Sequence, residues 1–208
     1  PGSMTKRRSF ATLLRDRQPA LAVLVGDDIL DAEAFAELRS ARAAGREGAA
    51  MAFSEANQYR YALACILDLA GRSREAVPLL EEALTVDAGL YMAHVRLATI
   101  YADQKRPQAS LEERRRAVAA NPEDAGLLFD LGEALARAGQ SSEAYTTLKQ
   151  AREANPLHFR TLYVLGWAAQ QVGKNDEAKE AYQRFIALAP STFAEQKSTA
   201  ASRLAALP

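Results

Sequence analysis

The residue types that carry covalent chemistry are few in this chain, and their spacing is poor for catalysis. A single cysteine, Cys65, lies in an apolar run over residues 62–70. One thiol cannot form an internal disulfide, which suits a reducing compartment. Among Leu63, Ala64 and Leu67 it reads as small core filler. His94 and His158 are far apart, with no second cysteine and no glutamate–histidine pairing beside them, so no metal site is expected. Glu81-Glu82 and Glu112-Glu113 are paired carboxylates, but adjacent residues point to different helix faces and cannot share one substrate bond. They read as solvated faces. The triplet Arg114-Arg115-Arg116 also reads as solvated, with stems lying on the protein and heads in water. Its functional alternative is a contact with a small anion or an acidic peptide. There is no phosphate loop and no nucleophile–histidine–acid set. The expected catalytic, metal and cofactor lists are empty, and the chain is not expected to be an enzyme.

That leaves binding as the chemistry to look for, and the charge balance narrows the partner. The 208 residues carry 26 Lys plus Arg and 26 Asp plus Glu, a net charge of zero. Nucleic acid is disfavoured, because phosphate binding needs a cationic surplus. No apolar run approaches the roughly 18 residues that a membrane span requires. Pro1-Gly2-Ser3 before Met4 resembles a cloning scar, with Met4 as the native start. Lys6-Arg7-Arg8-Ser9-Phe10 resembles a twin-arginine export signal, but Arg15, Asp16 and Arg17 interrupt the apolar stretch that such a signal needs. The expected location is cytoplasmic.

The elements that would position a binding face are legible as helices. Leu128, Leu131 and Leu135 recur at three and four residues, which is helical spacing. Gly139 sits where a helix C-terminus wants positive φ. Ser141 and Ser142 are placed to cap a following helix with Ala144, Leu148 and Ala151 on one face. Asn155-Pro156 ends it. The same skeleton returns every thirty-four residues: Leu63, Leu97, Leu131 and Leu165, each followed by Ala64, Ala98, Gly132 and Gly166. Turn glycines follow at Gly71, Gly139 and Gly173, with Lys105 the exception. Ala76, Ser110, Ala144 and Ala178 share the next column, and Pro122, Pro156 and Pro190 close three of the units. The second unit departs most, with Lys105, Ser110 and Arg114. Pro107 is tolerable there, because a helix's first turn has no intrahelical donor to lose.

Upstream, residues 1–19 hold the scar and a basic amphipathic segment, with Lys6, Arg7, Arg8, Arg15 and Arg17 around Phe10, Leu13 and Leu14. Residues 20–56 read as an N-terminal helical cap, with Gly45 and Gly48 loosening the chain before Ala49. Asp27, Asp28 and Asp31 read as N-terminal capping acids within it. Downstream, residues 193–208 form one more helix with Phe193, Ala200, Leu204 and Leu207 on one side, a cap for the last unit.

A 34-residue helix–turn–helix period with these columns resembles the tetratricopeptide repeat (TPR) family of bacterial and other proteins. The resemblance covers 57–192 as four units, 57–90, 91–124, 125–158 and 159–192. It implies an all-α, right-handed α-solenoid with N- and C-terminal capping helices, whose first helices line a concave face. The family's geometry places Tyr61, Arg96, Phe129, Asp130, Arg160, Tyr163, Trp167 and Gln170 on that face as partner-binding residues. Trp167, the only tryptophan, and its neighbouring tyrosine and arginine are favoured anchor types. Both Tyr163 and Trp167 could instead simply pack between helices. The lysine–asparagine clamp with which co-chaperone members grip C-terminal carboxylates is missing here.

Three functions follow from the resemblance. The first is a non-catalytic protein–protein adaptor or scaffold that holds a partner peptide or helix in the groove. The second is a self-assembling scaffold, a homo-oligomer in which the N-terminal segment docks into a neighbouring copy, as in some bacterial organelle-associated members. The third is a secretion-type chaperone.

Overall fold

The computed structural model describes residues 46–208. The expected basic segment and the part of the expected cap up to residue 45, with its aspartates, lie outside the described residues. Among the described residues every regular element is helical: α1 (Arg46–Leu69), α2 (Ser73–Val86), α3 (Tyr91–Asp103), α4 (Pro107–Ala120), α5 (Ala125–Arg137), α6 (Ser141–Ala154), α7 (Phe159–Gln171), α8 (Asn175–Leu188), a 3₁₀ turn (Ser191–Phe193) and α9 (Ala194–Ala205). They fall into two compact units that divide between Asp87 and Ala88. The first holds the pair α1–α2. The second holds the pairs α3–α4, α5–α6 and α7–α8, closed by α9.

The period read from the columns is the period of the helices. The second helices start at Ser73, Pro107, Ser141 and Asn175, and the first helices of the second unit at Tyr91, Ala125 and Phe159, each thirty-four residues after the last. Each pair closes on its small-residue column. At Gly132 an added Cβ would lie 2.5 Å from Leu148 Cγ, and at Gly166 one would lie 2.7 Å from two ring carbons of Tyr182. These glycines let the two helices of a pair touch backbone to side chain. The alanines of the facing column, Ala76, Ala144 and Ala178, are wholly buried for the same reason. In the second pair Ser110 takes that place, and its hydroxyl donates to the Ala98 carbonyl at 2.7 Å, so the polar atom is satisfied.

All four turns have the same backbone hydrogen bonds. At Gly71, Gly139 and Gly173 φ is 74–76°, and Lys105 holds φ 57° in the equivalent place. The next residue's N–H returns to a carbonyl of the first helix in each case: Arg72 to Leu67, Arg106 to Tyr101, Gln140 to Leu135 and Lys174 to Ala169. This is the helix-ending pattern that a left-handed residue completes.

Several expectations need correction. Neither Ser141 nor Ser142 caps α6. Gln140 takes the N-cap place, and no side chain accepts from the first turn. The backbone turn through Gly139 has already fixed the entry, so the hydroxyls are left inside the helix. α1 does not break after Gly48 but runs through Asn57; an alanine-rich stretch absorbs one interior glycine, worth about 1 kcal/mol. Glu113 is not solvated. It is 6% exposed, 2.7 Å from His94 Nδ1, and takes Arg116 Nη1 at 2.6 Å on its other oxygen. A buried carboxylate needs such partners. Arg114 is half-buried rather than solvated, and Arg115 is bound to Glu143 through two nitrogens and to Gln140. Cys65 is half-buried and free, beside the core rather than within it.

Two clusters carry the core of the last two pairs of the second unit. One joins Leu128, Leu131, Leu135 and Leu148 to Leu165 of the next pair. The other joins Leu162, Tyr182 and Phe185 to Ala200 of α9, with Phe193, Leu204 and Leu207 packed against it. α9 thus covers the apolar side of α7–α8, which the last pair would otherwise expose.

Candidate functional site

Helices α5 and α7 come into contact, and Arg160 of α7 reaches Phe129 and Glu133 of α5. Each is started by a local device. Asp124 caps α5, its carboxylate accepting from the N–H groups of Gly126 and Leu127 at 2.8 and 3.0 Å. His158 holds the N-cap place of α7 and shares a 2.7 Å hydrogen bond between Nδ1 and the Thr161 hydroxyl. These devices fix where Phe129 and Asp130 on one helix meet Arg160 on the other.

Phe129 is 5% exposed and forms the floor of this meeting point. The His158 ring stands edge-on to it, centroids 4.9 Å apart, and the Arg160 guanidinium lies 5.3 Å over its face. A guanidinium over an aromatic face is held flat and partly oriented. Glu133 stands beside it, and a single carboxylate oxygen is 2.9 Å from Arg137 and 4.0 Å from Arg160. The Arg137 and Arg160 side chains remain 71% and 54% exposed, whereas Glu133 is 22% exposed. Asp130 lies 3.6 Å from Arg114 of α4, so an arginine read as solvated supplies the neighbouring helix's counter-ion.

The electrostatics follow from this placement. Burial pushes the Asp130 carboxyl above its usual range and Glu133 adds to this, while Arg114 and Arg160 oppose it. Burial and Arg160 push His158 below the ordinary imidazole value, against a smaller pull from Asp130. Protonated imidazole is therefore disfavoured beside this arginine.

Of the residues expected on the binding face, Phe129, Asp130 and Arg160 come together here. Tyr163 and Trp167 continue the stripe along α7, both half-buried. Tyr163 packs 4.9 Å from the Phe185 ring, and Trp167 packs on the core cluster of Leu135 and Leu148. Each has one side in the core and another in solvent. Gln170 is half-buried and accepts a hydrogen bond from the Tyr182 hydroxyl at 3.3 Å. Arg96 is half-buried on α3, and Tyr61 is half-buried on α1 in the first compact unit. Sequence reading passed over His158 as a neighbour of Phe129. The signal was present in its spacing from Thr161, which is the spacing of a helix-start pair. Among the described residues no group of three or more His, Cys, Asp and Glu gathers as a metal site. No described helix is long and apolar enough to cross a membrane.

Profiles of the Tetratricopeptide repeat match residues 61–125, 103–162 and 159–192. The chain belongs to the tetratricopeptide repeat family, and its fold is the all-α, right-handed solenoid of that family. It is 29% identical over 120 residues to the type IV pilus assembly protein PilF of Pseudomonas aeruginosa, an alignment covering 57% of this chain and 48% of that protein. The chain thus spans about half the length of that relative. It is 24% identical to the human protein O-mannosyl-transferase TMTC1 over 71% of this chain and 17% of that protein. Among solved structures, MamA superposes with a TM-score of 0.59 at 21% identity, covering 68% of this chain and 85% of that one. Pseudomonas aeruginosa PilF gives 0.58 at 25% identity, covering 73% and 70%. YrrB, a TPR protein with an unusual peptide-binding site, gives 0.61 at 18% identity, covering 73% and 82%.

Proposed function

We propose that this protein is a non-catalytic adaptor that holds a segment of a partner protein on the face shared by α5 and α7. One observation carries the reading. Tyr163 and Trp167 each keep part of a large ring in solvent, in line with the exposed guanidinium of Arg160 and beside the half-buried Asp130. Rings and arginines of this kind, fixed by a packed floor, are what anchor a bound chain. The family binds proteins, and YrrB shows the same architecture with a peptide-binding site. Arg96, Phe129 and Gln170 belong to the same proposed face as supports, and Tyr61 marks its counterpart in the first pair. The likeness to PilF supports a bacterial source, and a lone cysteine supports work in the cytoplasm.

The test is capture of partners from the source cell's extract on immobilised protein. Wild type is compared with the double variant Trp167→Ala, Tyr163→Ala, after circular dichroism has shown the helices intact. Loss of the captured proteins in the variant is expected. An unchanged set of captured proteins would sink the reading.

A further inference from the structure

We infer that the segment held on the α5–α7 face carries an acidic side chain, which Arg137 and Arg160 take between them, next to an apolar residue seated on Tyr163 and Trp167. The inference deepens the adaptor reading and rests on it.

The partners of one ion-paired group are unequally exposed. Glu133 is a single, mostly covered carboxylate shared by two guanidiniums, its Oε1 lying 2.9 Å from Arg137 and 4.0 Å from Arg160. Each guanidinium has five donors in a fixed fork. One carboxylate cannot fill two forks, so donors of Arg137 and Arg160 are left over, and both side chains are more than half exposed. Arg160 also lies over the Phe129 ring, 5.3 Å from its centroid. A guanidinium braced against a ring is suited to bidentate capture of a planar carboxylate. Arg114, Arg137 and Arg160 meet Asp130, Glu133 and Asp124 here, but Arg137 and Arg160 are 71% and 54% exposed against 22% for the Glu133 they share, so what this pairing presents to solvent is mainly cationic. Lys or Arg on the partner would therefore meet repulsion at this point, and Asp or Glu attraction.

Beside the guanidiniums, the next turns of α7 carry Tyr163 and Trp167, so the apolar contact follows the acidic one along the same stripe. A chain of net charge zero does not call for a polyanion. A short acidic–apolar segment of a protein fits this face better than nucleic acid does.

The test is selection of random twelve-residue peptides displayed on phage against wild-type protein, followed by anisotropy titration of the enriched peptides. Enrichment of Asp or Glu beside a large apolar residue is expected. Binding should weaken by roughly tenfold or more in Arg137→Gln and in Arg160→Gln, the scale of losing a charge-assisted hydrogen bond. It should weaken less in Arg160→Lys, which keeps the charge but loses the flat fork, and it should fall as salt rises. Peptides that depend on Tyr163 and Trp167 but show no acidic enrichment overturn this inference and leave the adaptor reading standing. Peptides indifferent to Tyr163 and Trp167, or no peptide selected at all, overturn the groove reading and this inference together. Displacement of the enriched peptides by single-stranded oligothymidylate at equal charge concentration assigns the arginines to phosphate and overturns the inference also.

Discussion

Replacing Lys105 with glycine should stabilise this protein, although it removes a side chain and adds backbone freedom. Lys105 stands in the turn of the second pair at φ 57°, where the other three turns have glycine at 74–76°. The hydrogen bonds are the same in all four, with Lys105 N–H to Ala102 at 2.9 Å and Arg106 N–H to Tyr101 at 2.8 Å. The turn therefore demands the left-handed region, and a Cβ there costs roughly 1–2 kcal/mol. Glycine removes that strain but loses more entropy on folding, by about 0.4–1 kcal/mol. The net gain for Lys105→Gly is about 0.5–1 kcal/mol. With a urea slope of about 2 kcal/mol/M, the midpoint should rise by ~0.3–0.5 M. The reverse change, Gly139→Ala, meets no atom within 4 Å of its new Cβ. It thus isolates the backbone effect and should lower stability by about 0.5–1 kcal/mol, the same strain less the same entropy. Helix content followed by circular dichroism reports the transition, and amide exchange at Arg106 reports the local turn, because helical repeats need not unfold all at once. A midpoint for Lys105→Gly that is unchanged or lower, at the same slope, would refute the argument. So would a harmless Gly139→Ala.

Four further outcomes are expected. Gly166→Ala puts a methyl 2.7 Å from the Tyr182 ring and should lower stability by about 1–2 kcal/mol in urea titration, overpacking exceeding alanine's helix preference. Ser110→Ala should change stability by less than about 1 kcal/mol, since the lost bond to Ala98 is offset by alanine's better helix propensity and by the alanine already buried at that column in the other pairs. His158 should titrate below 6.5 by NMR; since its folded value is lowered, the native state binds the proton less well than the unfolded one, and stability is lost as pH falls from 6.5 through the folded value. Asp130 acts in the opposite sense: its carboxyl is raised from 3.8, so its contribution weakens as pH rises from 3.8 through the raised folded value, and Asp130→Asn should steepen the acid limb of the stability profile while His158→Gln flattens the limb below 6.5.

The period and the helix pairs were legible because they are written in local terms. Leucine, alanine and glycine columns at a fixed interval record which residues meet the partner helix of the same pair, and that meeting is repeated four times. The turn glycines record a backbone angle, and Pro107 and Asn155-Pro156 record helix starts and stops. Ser141 and Ser142 misled because a serine before an apolar run has the composition of a cap, whereas the preceding turn had already set the helix entry. Glu113 and the arginine triplet misled because charge patterning along one helix does not show what packs against it. Glu113 found His94 on the partner helix, and Arg114 found Asp130 on the next pair.

The sequence by itself determined the all-α repeat, its family and the stripe of Arg160, Tyr163, Trp167 and Gln170, since helical spacing alone puts those on one face. Only the tertiary structure decided that Phe129 is a floor rather than a contact surface, that Glu133 is shared by Arg137 and Arg160, and that Gln170 belongs partly to Tyr182. Those outcomes depend on distances between helices that are remote in sequence. Burial and ion pairing, which set the charge of the face, are properties of that packing and of no single segment.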